Sequence, residues 1–379
     1  MRFVRDWRPC RMVTEMATDL TVEIGRLLQL ICEVPAPTFS EAQRAALIAE
    51  LWTGAGLQVQ VDDIQNVFAT TGVGSGPRVL LAAHSDTVFP AGTDVSVQKT
   101  GGRWLAPGIG DNSASVAVLT HLANTLSSLD GPLPRISLAS PVGEEGRGDL
   151  RGMRRLLADH EGEFDYVIAV DGHLGSIVNR AVGSRRFEFR FSAVGGHSWG
   201  DYPAPSAVHA MADAMSALTG LDVPETPRSS FNIGTVRGGT SSNASAESAM
   251  FDLDLRSLDP DVLARLEKSA LELVREAADR HRVRLETVQI GDRPVATVDN
   301  DALVRCASEA LQEQGIEPRT SAGSTDANAA LAAGLPSICM GVYRGGDAHR
   351  LSEWLGPESL GQGYQALVGF LRRLSARPG

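Results

Sequence analysis

The chain has 379 residues, 43% of them hydrophobic and 21% charged, with a formal net charge of −11. That length asks for about two domains of ordinary size, and the acidic balance without any basic run excludes the electrostatic footprint of a nucleic-acid binder. No stretch approaches the ~20 apolar residues of a membrane helix, and four scattered cysteines (Cys10, Cys32, Cys306, Cys339) without a Cys-x-x-Cys pair read as free thiols in a reducing compartment.

Residues 1–16 carry Arg2, Arg5, Arg8 and Arg11 with no continuous apolar segment behind them, so they are read as an irregular start rather than a signal peptide, and the expected location is cytoplasmic. Apolar spacing then predicts helices over 19–33 and 40–51, the second with Ser40 as N-cap. Strands follow at 57–61 and 78–83, the latter running into His84. The glycine-rich Gly72-Val73-Gly74-Ser75-Gly76 before it has the wrong spacing for a dinucleotide loop and reads as a turn. A helix over 113–126, a strand over 135–139, a helix over 149–158 and a strand over 166–170 complete an alternation that predicts an α/β layered domain with a mostly parallel sheet. In such sheets reactive groups gather beyond the carboxyl ends of the strands, and His84, the pair Glu144-Glu145 and Asp171 each follow a predicted strand within a few residues.

The pattern changes near residue 184. A strand over 185–192, a helix over 205–218, strands over 229–236 and 248–255, a long amphipathic helix over 260–281 and a strand over 283–290 give the β-α-β-β-α-β order of a ferredoxin-like α+β domain. It reads as an insertion. The expected domains are 1–183 with 292–379 as the catalytic, metal-binding domain and 184–291 as an inserted lid. The earlier pattern resumes with a helix over 301–313, a loop over 322–326, a strand over 337–341 and a closing helix.

The chemistry-bearing candidates are His84, Asp111, Glu145, Asp171 and His349. Taken singly each has an ordinary reading: a surface histidine, a helix N-cap, a solvated turn, a polar loop. Together, two imidazoles and three carboxylates suit a pair of borderline divalent ions, with one carboxylate shared between them. A magnesium site would not require the imidazoles. Two adjacent carboxylates repel unless a cation or a division of roles separates them. If Glu145 binds metal, Glu144 is placed to take a proton from a metal-activated water and return it to the leaving amine. Asp86 reads as a loop cap or as the partner that orients His84.

Several segments carry a family resemblance: Leu81-Ala82-Ala83-His84-Ser85-Asp86-Thr87-Val88, Gly110-Asp111-Asn112, Gly143-Glu144-Glu145-Gly146, Ala169-Val170-Asp171-Gly172, Ala322-Gly323-Ser324-Thr325-Asp326-Ala327-Asn328 and Gly345-Gly346-Asp347-Ala348-His349. The chain resembles, from about Pro37 to its last helix, the dizinc metallopeptidases and amidohydrolases that include glutamate carboxypeptidase, peptidase T, succinyl-diaminopimelate desuccinylase and acetylornithine deacetylase. The peptidase T-like branch is the most similar in its final segments. The resemblance implies two zinc ions (or cobalt or manganese) bridged by Asp111, one completed by His84 and Asp171, the other by Glu145 and His349. Glu144 is implied as general base and Asp86 as support for the site. It implies that His197, in Gly195-Gly196-His197-Ser198-Trp199, faces the scissile carbonyl, and that Asn243 and Arg256 hold a substrate carboxylate, with Gly323 and Ser324 as backbone donors nearby. It also implies homodimerisation through the inserted domain. The chain departs from many members at Ser113-Ala114 and at Ser198-Trp199-Gly200, which bears on substrate more than on chemistry.

Two substrate readings stay open: an exopeptidase for small peptides (aminopeptidase, di- or tripeptidase) and a hydrolase of N-acyl amino acids. A third, of another class, is a metal-dependent peptide-binding protein without catalysis.

Overall fold

A computed structural model describes residues 11–296 and 298–376. Cys10, Arg2, Arg5 and Arg8 lie outside the described residues. The chain divides into two compact units, one running to Arg180 and resuming at Val298, the other spanning Ala181–Thr297. The sequence-based limits, 184 and 291, fall inside the second unit.

The first unit is organised by one eight-stranded sheet with the spatial order Gln58–Val61, Val67–Thr70, Arg135–Ser140, Arg78–Ala82, Tyr166–Val170, Ser337–Met340, Ser176–Ala181, Arg319–Gly323. The four central strands, from Arg135–Ser140 to Ser337–Met340, run parallel. They are short runs of Val, Ile, Leu and Ala, and alternate residues enter two different cores: Val79 and Leu81 the larger one, Leu80 and Ala82 the smaller. A parallel sheet covered on both faces has to read this way. The expected mostly parallel sheet therefore occupies the centre, while Gln58–Val61, Val67–Thr70 and Ser176–Ala181 join it antiparallel.

The larger core is closed by the helices Arg11–Cys32, Ala42–Gly54, Ser115–Thr125, Asp301–Glu313 and Glu358–Ser375; the smaller by Arg151–Asp159 and Ala327–Ala332. The first helix begins earlier than its apolar spacing suggests. Ser40 is not the N-cap of the second: Glu41 takes that position, and its carboxylate accepts instead from the Phe39 N–H and from Arg151. The expected loop at 322–326 is also corrected, because Arg319–Gly323 is an edge strand. A small antiparallel sheet, ordered Arg344–Gly346, Trp354–Gly356, Arg103–Leu105, Gln98–Thr100, was not legible in the sequence, since its three-residue strands are too short to show a period.

The second unit is an antiparallel sheet ordered Ser229–Gly238, Ser248–Ser257, Gly183–Ser192, Arg284–Arg293, with the helices Ala207–Leu218 and Pro260–Arg280 packed on it. This is the ferredoxin-like arrangement read from the sequence. Alternation builds it: Phe187, Phe189, Phe191, Phe251, Leu253 and Leu255 face the helices, while Arg186, Glu188, Arg190, Asp252 and Asp254 take the opposite face. Asp259 caps the long helix by accepting from Asp261 N and Val262 N, with Pro260 at its first turn. Cys32, Cys306 and Cys339 are buried thiols outside any disulfide. No helix of the described residues is long and apolar enough to cross a membrane.

Trp52 is fully buried in the larger core, and its indole N–H donates to Thr120 Oγ1 at 3.1 Å. Trp52→Ala is expected to destabilise the first unit by about 3–5 kcal/mol. Chemical denaturation reads this as a lower midpoint, and an unchanged midpoint would contradict the packing.

Candidate active site

The parallel strands Arg78–Ala82, Arg135–Ser140 and Tyr166–Val170 end on one edge of the sheet, and His84, Glu144-Glu145 and Asp171 emerge there. Local bonds lock the segments together. Ser85 N donates to Pro141 O, Ser140 Oγ donates to Ala83 O, and Asp171 N donates to Met340 O. Asp86, fully buried, is the knot: its carboxylate accepts from Glu144 N at 3.0 Å, Glu145 N at 3.1 Å and Thr38 Oγ1 at 2.8 Å. Its Oδ1 also lies 3.5 Å from His84 Nδ1, so Asp86 sets both the imidazole and the glutamate pair.

Asp111 arrives from another direction, in the tight turn Ile109–Ala114 at the head of Ser115–Thr125. The Asp111-Asn112 peptide is cis. Asn112 Nδ2 donates to Val170 O at 3.1 Å, tying this turn to the strand that delivers Asp171. His349 comes from the turn between the short strands Arg344–Gly346 and Trp354–Gly356.

The five segments converge. His84 Nε2 lies 3.2 Å from Asp111 Oδ1, while His349 Nε2 lies 3.1 Å from Asp111 Oδ2 and 3.0 Å from Glu145 Oε1. Ligand atoms of His84, Asp111 and Asp171 lie within 4.8 Å of one another, as do those of Asp111, Glu145 and His349, and those of His84, Glu144 and Glu145. Asp111 is common to the first two groups and presents one oxygen to each.

Electrostatics mark the place as one built for cations. Burial, reinforced by the charge on Asp111, holds Asp171 well above the usual carboxylate range. Burial, opposed by the His349 hydrogen bond and aided by Glu144 and Asp111, pushes Glu145 up to about 7. Burial also acts against ionised Asp111, but its hydrogen bond to His349 and the nearby imidazole of His84 win and hold it low. The Asp111 and Glu145 bonds push His349 up to about 11. For His84 burial works against the cation, and the Asp111 and Asp86 carboxylates overcome it. Asp111 Oδ1 is also buried and accepts no well-formed hydrogen bond. A donor set of two imidazoles and three crowded carboxylates with an unsatisfied oxygen at its centre fits divalent ions.

Sequence reasoning passed over several supporting residues. Arg44, read only as part of an amphipathic helix, is buried and donates to Val34 O, Ser85 O and Cys32 O. Tyr343 packs against Gly110, where an added Cβ would fall 2.6 Å from its ring. Glu353 accepts from three backbone N–H groups around Asp111. Its position four residues after His349 was the one available signal. His173 is exposed and meets Tyr343 edge-on at 5.2 Å between centroids.

The substrate candidates divide. Gly323 ends the edge strand Arg319–Gly323, and Ser324 follows. Thr325 and the Asp171 carbonyl both contact the Cys339 thiol, which brings that loop beside Asp171. In the second unit His197 and Asn243 adjoin: His197 pairs with Ala244, and Ser198 N donates to Asn243 O at 3.0 Å. Arg256 is not with them. It lies near the far end of Ser248–Ser257, where Asp254 Oδ2 accepts from its Nε at 2.7 Å.

A site of imidazoles and carboxylates at the carboxyl edge of such a sheet is the arrangement of a metal-dependent hydrolase. Residues 80–373 match the family described as Peptidase family M20/M25/M40, and the chain belongs to that family. It is thus a hydrolase of amide bonds of the peptidase or amidohydrolase type. It is similar to the uncharacterized protein YqjE of Bacillus subtilis (24% identical over 344 residues, 84% of this chain and 89% of that one). It is also similar to the succinyl-diaminopimelate desuccinylase of Corynebacterium glutamicum (25% identical over 240 residues, 61% and 65%). Among solved structures, a tripeptidase from Staphylococcus aureus shares the fold with a TM-score of 0.78 at 21% identity, over 94% of this chain and 99% of that one.

Trp199 N and Gly200 N both lie 3.2 Å from His197 Nδ1. Two N–H donors aimed at Nδ1 require it to be the acceptor, which leaves the proton on Nε2. Long-range proton–nitrogen NMR of the imidazole is expected to show the Nε2–H form at neutral pH; a dominant Nδ1–H form would contradict this loop geometry.

Proposed function

We propose that this chain is an exopeptidase for small peptides that works with two zinc ions, held by His84, Asp111 and Asp171 on one side and by Asp111, Glu145 and His349 on the other. The observation that carries the reading is Asp111, whose two carboxylate oxygens each face the Nε2 of a different histidine. Borderline ions match this mixed nitrogen and oxygen set, and cobalt or manganese would be accepted by the same atoms. Bound there, the ions would supply Lewis acidity and lower the pKa of a water to about 7.

The chain's own residues do the rest. Glu144 sits in the bend Gly143–Gly146, with both glycines at positive φ and its backbone N–H bound by Asp86. That holds its carboxylate at the rim of the centre, where it takes the proton of the attacking water and passes it to the leaving amine. Asp86 keeps this glutamate and His84 in register. His197 offers Nε2–H as a donor for the scissile carbonyl, a kind of contact that contributes about 3 kcal/mol to such barriers. Asn243, Arg256, Gly323 and Ser324 are assigned to the substrate's polar ends.

The likeness to a tripeptidase in fold supports the peptide reading. The desuccinylase relative favours a second one, in which the same chemistry removes an acyl group from an amino acid. A panel of di- and tripeptides beside N-acetyl and N-succinyl amino acids separates the two by kcat/KM.

Purified protein is expected to carry close to two equivalents of transition metal, measured by elemental analysis. Glu144→Gln should keep them while kcat falls about 10²–10⁴-fold. Loss of metal in this variant would make Glu144 a ligand instead of the base, and protein without metal would remove the reading altogether.

A further inference from the structure

Glu353 is 1% exposed, and the hydrogen bonds its carboxylate makes among the described residues are to backbone, not to the candidate ligand side chains. Oε1 accepts from Gly110 N and Asp111 N, each at 2.8 Å, and Oε2 accepts from Gly108 N, also at 2.8 Å. These three donors belong to a stretch where the chain leaves regular structure: Gly108 has φ +74, and Asp111 has φ −97 and ψ 96. No helical carbonyl is in place to take them, and a buried N–H without an acceptor is not tolerated.

The same stretch is confined on other sides. A Cβ at Gly110 would fall 2.6 Å from the Tyr343 ring, and one at Gly108 would fall 2.7 Å from Thr87 Cγ2. Asn112 Nδ2 holds the next residue to Val170 O. Glu353 supplies the remaining restraint. Its own carbonyl accepts from Ala106 N at 3.2 Å and its N–H donates to Arg350 O at 3.0 Å, so one residue joins the turn bearing His349 to the turn bearing Asp111.

We propose that Glu353 is a positioning residue that fixes the Asp111 carboxylate between its two histidines, and so sets both halves of the metal centre at once; this rests on the two-ion reading above. The chemistry requires a carboxylate of this length. Glutamine would turn an NH₂ group toward N–H donors, and aspartate, one methylene shorter, could reach only some of them.

Zinc titrations against a chromogenic chelator, on wild type, Glu353→Gln and Glu353→Asp, test it. Glu353→Gln is expected to weaken both equivalents in parallel, each by about 10- to 100-fold as for other residues that orient ligands, and at saturating zinc to lower kcat with KM little changed. Glu353→Asp should fall between Gln and wild type, and it decides the matter if Glu353→Gln does not fold by circular dichroism. Wild-type affinity for both equivalents in either folded variant, with only the unfolding midpoint lowered, would make Glu353 a structural strut and overturn the proposal. Wild-type protein that binds no zinc at all would instead defeat the two-ion reading, and this inference with it.

Discussion

Carboxylates of one sign, buried within reach of each other, repel, and only positive charge or protons can relieve them. Asp111, Glu145 and Asp171 are in that position. Asp171 and Glu145 are held above the ordinary range, chiefly by burial, while the acids that His84 and His349 face push both imidazoles above theirs. A chain left to relax would spread these groups into water. It is prevented by anchorage: each acid or imidazole sits one to a few residues beyond an element whose own side chains are locked in a core, so separating the charges would mean pulling apart the sheet.

The anchorage has two mounts. The carboxyl edge of the parallel sheet carries His84, the glutamate pair and Asp171, kept in register by Asp86. The second mount is the small antiparallel sheet with the turns at its margin, and it carries His349 and, through Glu353, Asp111. The bond from Asn112 to Val170 O joins the mounts. In the proposed reading each ion takes ligands from both, so the separation of the ions is set by how the two mounts meet rather than by either alone. Asp111 is the residue at which that relation becomes chemistry.

How far this was readable from residues alone follows the range of the forces involved. The parallel strands declared themselves because doubly covered strands must be apolar runs, and the second unit because half-covered strands must alternate, as Phe187, Phe189 and Phe191 do between Arg186, Glu188 and Arg190. The residues His84, Glu145 and Asp171 were legible because strand ends have a known direction. His349, in a polar loop, has nothing local to mark it beyond its imidazole, and the likeness of its Gly-Gly-Asp-Ala-His segment to known sequences is what set it apart from an ordinary loop histidine. Arg44 left no usable mark, Glu353 only its place four residues after His349 and Asn112 only its place beside Asp111: each is polar in a segment with room for polar residues, and each is buried by partners distant in sequence. The three-residue strands around His349 are likewise products of packing and not of local preference.

The second unit obeys a different constraint. In the proposed reading it handles substrate, and a group that handles substrate has to keep a donor available, whereas a ligand has to be held on all sides. His197 meets the first condition, because two backbone N–H groups occupy Nδ1 and turn Nε2–H outward. Arg256 meets it less fully. Its Nε is engaged by Asp254, which also accepts from Ser184 Oγ at 2.8 Å and lies 3.5 Å from Arg186. Asp254 therefore aims the guanidinium by one edge and leaves the opposite edge of the fork for an anion. In the proposed reading a carboxylate arriving at Arg256 would meet a charge already shared with Asp254, so geometry would count for more there than net attraction. Arg256 stands apart from His197 and Asn243 along Ser248–Ser257, so in that reading the two places would hold different parts of a substrate, and a free α-carboxylate and an acyl-chain carboxylate would be told apart by reach rather than by charge.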